Sequence, residues 1–112
     1  WNDSVEASRA LSMTLPWLTQ VKKVSVLISK EREANVEEVT GYLKRHGCKA
    51  DYHVISGRGS NVGKRMLSSC AEIGAEFLVV GGFSHTRTRQ RLFGGVTSYL
   101  LSNTNIITVM AH

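Results

Sequence analysis

The sequence alternates without interruption between stretches whose apolar residues recur at helical spacing and short β-branched runs. That alternation constrains the fold more than anything else in the chain. Val5, Ala7, Ala10, Leu11, Leu15 and Leu18 mark a first helix, with Asp3 as its N-cap and Glu6 completing a capping box. It should reach about Thr19, bent or ended by Pro16. Val24–Ile28 is a nearly continuous apolar run, suited to a strand buried on both faces. Lys30–Asn35 reads as a polar loop. Val36, Val39, Tyr42 and Leu43 place a second helix over Asn35–His46, closed by Gly47.

In Cys48–Ile55, Ala50, Tyr52 and Val54 alternate with Asp51 and His53, as in an edge strand with one exposed face. Gly57–Asn61 is a turn. Ser60 or Asn61 then caps a third helix with Val62, Met66, Leu67, Cys70 and Ile73 as its buried stripe, ended by Gly74. Phe77–Val80 is another buried strand. Leu92, Val96, Tyr99, Leu100 and Leu101 mark a fourth helix ending near Asn103, and Ile106–Met110 is the last strand.

Strict alternation with short connections predicts an α/β fold, an open parallel sheet with helices on both faces. Such a unit ordinarily opens on a strand, yet this sequence opens at Trp1, with no methionine, directly on a turn and a helix. The expectation is one domain spanning residues 1–112 whose first strand is absent from the chain, with further sequence upstream.

The candidate site is Phe77–Thr97, FLVVGGFSHTRTRQRLFGGVT. It reads as a strand, the glycines Gly81 and Gly82, a basic loop over Ser84–Gln90, and a helix opening at Gly94–Gly95. A strand that runs into glycines just before a helix can set backbone N–H groups against a phosphate. His85, Arg87, Arg89 and Arg91 add positive charge. From the residues alone, the glycines serve either a phosphate cradle or a tight turn. The GRGSNVGK stretch at Gly57–Lys64 is not a P-loop: the spacing fails and Arg65 stands where a magnesium-binding hydroxyl is needed.

Composition narrows the function classes. The formal charge of +5 favours anionic partners, but the cations are dispersed and lack aromatic interleaving, which argues against a nucleic-acid surface. Cys48 and Cys70 have no ligand-like spacing, pointing to a reducing compartment and not to a metal or disulfide framework. No apolar run is long enough to span a bilayer. No histidine has an identifiable nucleophile and carboxylate partner, so no catalytic residues and no metal site are assigned.

VVGGFSHTRTRQRLFGGVT, the closing VMAH and the opening WNDSVEASRALSMTLPWL resemble the universal stress protein domain, most of all that of bacterial tandem-domain members. The likeness runs the length of the chain. It implies a Rossmann-like, five-stranded parallel sheet ordered 3-2-1-4-5, with strand one absent from this chain. Its members pair through the last strand, as homodimers or as tandem pseudo-dimers. In nucleotide-binding members a G-x2-G-x9-G-(S/T) pattern wraps the phosphates and ribose of ATP. Carried onto this chain, its positions are Gly81, Ser84, Gly94 and Gly95, with Thr97 near the missing hydroxyl. Two positions depart, Ser84 for glycine and Gly95 for a hydroxyl residue.

The family's acidic residue at the end of strand one corresponds to Asn2, while Ser29 and Gly57 match positions bordering the adenine pocket. The resemblance thus implies a cytoplasmic stress-response domain that binds ATP or AMP without catalysis. Backbone N–H groups around Gly81–Ser84 and Gly94–Val96, together with Arg87, would hold the phosphates. The alternative is a dimerisation module of the same family that has lost the nucleotide. Without strand one, the sheet should carry a gap at its centre, closed by upstream residues, by a neighbouring chain or by collapse of the two flanks.

Overall fold

A computed structural model describes residues 1–55, 60–82 and 95–112. Ser4 opens α1 (Val5–Leu18) by accepting a hydrogen bond from the Ala7 N–H at 3.1 Å. The expected capping residue, Asp3, stands one position outside the helix with a left-handed φ of 58°. A side chain in that conformation cannot cap, and the shorter Ser4 takes the role from an extended backbone. Pro16 lies within the last turn, and α1 ends two residues later.

Next come β1 (Val24–Ser29), a 3₁₀ helix (Lys30–Asn35), α2 (Val36–Arg45) and β2 (Ala50–Ile55). Lys30–Asn35 is therefore a helix and not the expected loop. The tighter winding superposes positions three apart, and Lys30 and Glu33 form an ion pair across that spacing. Gly47, at φ 86°, closes α2: its N–H reaches the Lys44 carbonyl at 3.0 Å and the Cys48 N–H reaches that of Leu43 at 3.0 Å. Gly74 closes α3 (Ser60–Ile73) in the same way, with the Ala75 N–H on the Cys70 carbonyl at 2.8 Å. The chain finishes with β3 (Phe77–Gly81), α4 (Gly95–Asn103) and β4 (Ile107–Ala111).

All strand pairing is parallel. β1 pairs with β2 from Val24 opposite Ala50 to Ser29 opposite Ile55, and β3 pairs with β4 from Phe77 opposite Ile107 to Gly81 opposite Ala111. These are two separate two-stranded sheets; no ladder joins β1 to β3 among the described residues. The break falls where the sequence places the gap, and a cavity, not a collapsed contact, occupies it.

Two apolar clusters flank the sheets. Val26 and Ile28 of β1 join Leu18 of α1 and Val39 and Leu43 of α2, with Phe77 and Val79 packed against them. Leu27 and Leu78 turn the other way, toward Cys70 of α3 and Leu100 of α4, with Val80 packed alongside. Helices therefore cover both faces, as expected for near-continuous apolar strands. Both cysteines are buried free thiols, and burial raises the pKa of each.

β2 departs from its sequence pattern. Tyr52 and Val54 are 43% and 40% exposed, while Asp51 and His53 are half-buried. The apolar side of the alternation thus faces outward. Asp51 is held by a small network: the Ser25 hydroxyl donates to it at 2.6 Å and Lys23 pairs with it at 3.2 Å. β2 is an edge strand, as its pattern suggests, because β1 is its one partner among the described residues.

Candidate functional site

The C-terminal ends of β1 and β3 meet around the opening turn of the chain. The Trp1 amino group donates to the Leu27 carbonyl of β1. A few residues on, the first turn of α1 presses on the end of β3: a Cβ at Gly81 would stand 2.4 Å from the Ala7 nitrogen and 2.6 Å from the Glu6 carbonyl carbon. One short segment thus touches the ends of both strands, which fixes β1 and β3 in the same direction. Ligands of open parallel sheets bind in such a crevice, beyond the carboxyl ends of strands at the point where the strand order reverses.

A cavity of about 1070 Å³ runs from this crevice between the two sheets. Six of the residues that the sequence nominates line it: Asn2, Ser29, Gly81, Gly95, Val96 and Thr97. They come from the opening turn, the end of β1, the end of β3 and the first turn of α4. Gly57, Ser84, Arg87 and Gly94 lie outside the described residues, as does the basic loop.

Each position has a local cause. Asn2 accepts the Ser4 N–H at 3.2 Å, so its side-chain oxygen is engaged in the opening turn and its amide NH₂ is the group it can offer a ligand. Ser29 ends β1 and stands at the N-cap position of the 3₁₀ helix without a side-chain cap bond. Gly95, Val96 and Thr97 open α4, where the first N–H groups have no partner within the helix and carry the positive end of its dipole. Thr97 is buried.

Gly81 and Gly82 have packing reasons for being glycine. The α1 backbone fills the space beside Gly81, and a Cβ on Gly82 would meet the Met110 side chain at 2.6 Å. The Gly82 N–H bonds the Ala111 carbonyl at 2.8 Å, continuing the β3–β4 ladder. These glycines let a helix and a side chain sit close to the strand end, whichever ligand the crevice takes.

Sequence reasoning did not single out Trp1 or Arg32, both of which line the cavity. Arg32 reaches Asp3 at 3.2 Å, and Asp3 also accepts the Trp1 indole N–H. The 3₁₀ helix carries Arg32 there; a stretch read as a loop gave no signal of it. Burial pushes the Trp1 amine below its ordinary pKa, with Asp3 opposing and Arg32 reinforcing that shift.

The fold and this crevice define an α/β protein of Rossmann-like build. Hypothetical protein MJ0577, whose solved structure was used for a structure-based assignment of biochemical function, superposes with a TM-score of 0.80. The match covers 97% of this chain and 89% of that one at 17% identity, a likeness of fold. No family model and no curated protein matches the sequence. Among the described residues no helix is long and apolar enough to cross a membrane.

Proposed function

We propose that the chain is a regulatory domain of universal stress protein type that binds ATP or AMP in the cytoplasm. The observation that carries this reading is the convergence of Asn2, Ser29, Gly81, Gly95, Val96 and Thr97 on one cavity at the strand ends. The N–H groups of the first turn of α4, which the helix itself does not engage, are the donors this reading gives to phosphate, and Arg32 adds a cation to the lining of the same cavity. Asn2 would meet the nucleotide with a neutral NH₂ donor. Titration calorimetry with ATP and AMP tests the reading: a saturable heat and a ligand-dependent rise in Tm are expected. Neither effect at millimolar nucleotide would overturn it. Turnover forms no part of the proposal, and sustained ATP hydrolysis that disappears when the Gly81–Thr97 segment is altered would contradict it.

A second reading, a dimerisation module, draws on β4. The edge of β4 away from β3 has no strand partner among the described residues, and its first residue, Ile107, is 72% exposed. Exposed apolar strand edges invite pairing with another chain. On this reading Ile107→Lys or Val109→Lys yields monomers by light scattering, and an unchanged oligomer would count against it.

A further inference from the structure

The opening turn holds a strained residue beside the crevice. Asp3 has a left-handed φ of 58°, the one non-glycine residue to do so among the described residues. Glycine would serve such a turn without steric cost, so the aspartate side chain is the feature to explain. Both of its carboxylate oxygens are engaged. Oδ1 accepts the Trp1 indole N–H, and Oδ2 accepts from Arg32 Nη1 at 3.2 Å. The two partners bracket residues of the cavity lining. Asn2 lies between Trp1 and Asp3, and Ser29 stands at the head of the 3₁₀ helix that carries Arg32.

Arg32 has capacity left over. Asp3 takes one of its N–H groups, and a guanidinium offers five in a planar fork. The Arg32 side chain is 46% exposed, and the residue lines the cavity as well as touching Asp3. Other described cations are placed or paired elsewhere. Lys22 and Lys23 also line the cavity, but they precede β1 and so stand at the opposite ends of the strands. Lys30 is paired with Glu33, and Arg9 donates to the His112 carbonyl at 3.2 Å.

We propose that Asp3 is a positioning residue for Arg32, and that Arg32 bridges the Asp3 carboxylate to a phosphoryl oxygen of the ligand in the crevice. The carboxylate holds the guanidinium by one edge at the cavity and leaves the remaining N–H groups to the ligand. Ordering a long side chain before the ligand arrives removes that cost from binding. This assignment rests on the reading of the crevice as a phosphate-binding site and adds the residue pair that sets its affinity.

Positioning predicts the opposite sign from charge alone. Asp3 is an anion beside the crevice, so by Coulomb repulsion its neutralisation should tighten an anionic ligand. As a positioning residue, its neutralisation should loosen the ligand. Asp3→Asn separates the two, because Asn tolerates the left-handed turn and its amide oxygen can still accept the indole N–H.

The test is titration calorimetry of ATP, AMP and inorganic tripolyphosphate into the parent, Asp3→Asn, Arg32→Lys, Arg32→Gln and the Asp3→Asn/Arg32→Gln double variant, each checked for folding by its Tm. Arg32→Gln should raise Kd about tenfold or more, the loss of one charge-assisted hydrogen bond. Asp3→Asn should raise it about three- to tenfold as the held geometry is lost. Arg32→Lys keeps the charge but not the fork, so it should fall close to Arg32→Gln. In the Arg32→Gln background, Asp3→Asn should weaken binding no further. Unchanged or tighter binding in Asp3→Asn, or an Arg32→Lys variant equal to the parent, would overturn the proposal and leave the nucleotide reading in place. Binding of tripolyphosphate without ATP or AMP would overturn that reading alone, and the same variants then decide the proposal with tripolyphosphate. A parent that binds none of the three overturns both.

Discussion

A Cβ on Gly81 would stand 2.4 Å from the backbone nitrogen of Ala7. The first turn of α1 therefore rests on the end of β3 without room for a side chain, and the backbone of a helix yields less readily than a flexible side chain. Gly81→Ala should destabilise the fold by about 1–3 kcal/mol, the range for overpacking a closed contact. Urea denaturation of the variant measures it. A loss below a few tenths of a kcal/mol would show that α1 can lift from the strand end at little cost.

Gly63 and Tyr99 bring α3 and α4 together. A Cβ on Gly63 would lie 2.9 Å from the Tyr99 ring and 3.1 Å from its Cβ. Gly63→Ala should cost about 1–2 kcal/mol in the parent and markedly less in a Tyr99→Ala background. Denaturation of the two single variants and the double variant gives the coupling directly. Strict additivity would place the cost of Gly63→Ala in something other than this contact.

Asp51 gives the chain an acid-sensitive element. Burial works against its carboxylate, but the Ser25 hydroxyl and Lys23 outweigh that effect and hold its pKa below the ordinary value of 3.8. A depressed folded pKa adds stability above the unfolded pKa and loses it as pH falls through the folded value. Asp51 is partly exposed, so the interaction is modest. Asp51→Asn should lower stability by about 0.5–1 kcal/mol at pH 7, with the difference from the parent shrinking below pH ~4. Urea melts at neutral and acid pH check it; a gap that stays constant with pH would exclude the carboxylate as its source.

Ile28 is fully buried in the apolar cluster against which Trp1 packs. Ile28→Ala should cost about 2–5 kcal/mol, the range for a large-to-small change in a core that relaxes only in part. Thermal or chemical denaturation measures the loss.

Element order was legible in the sequence because helix and strand impose different periods on their apolar residues, and neighbouring segments here never share one. Gly47 and Gly74 announced helix ends because left-handed φ favours glycine. Local signals failed where two local solutions compete. Asp3 and Ser4 both suit an N-cap, and the left-handed backbone at Asp3 leaves the role to Ser4. Tyr52 and Val54 have the alternation of a buried face, but at the edge of the sheet both stay exposed, while Asp51 is engaged by Ser25 and Lys23.

Of the candidate site, the Phe77–Thr97 stretch was legible as a strand running through glycines to a helix, whereas Asn2 and Ser29 were named through family resemblance, since nothing in their spacing along the chain relates them to it. Trp1 and Arg32 were missed for the same reason: their place at the cavity depends on a 3₁₀ helix and on the path of the opening turn.

The break near the middle of the sheet was expected from the family resemblance; the sequence by itself determined the α/β class and the parallel direction of the strands. Periodicity and connection length are local properties, and they suffice for those. Only the tertiary structure decided that a cavity lies between the two sheets, that the opening turn bridges the ends of β1 and β3, and that Gly81 is held to glycine by Ala7. Those features depend on which backbone groups face each other across the space between elements, and sequence distance does not encode that.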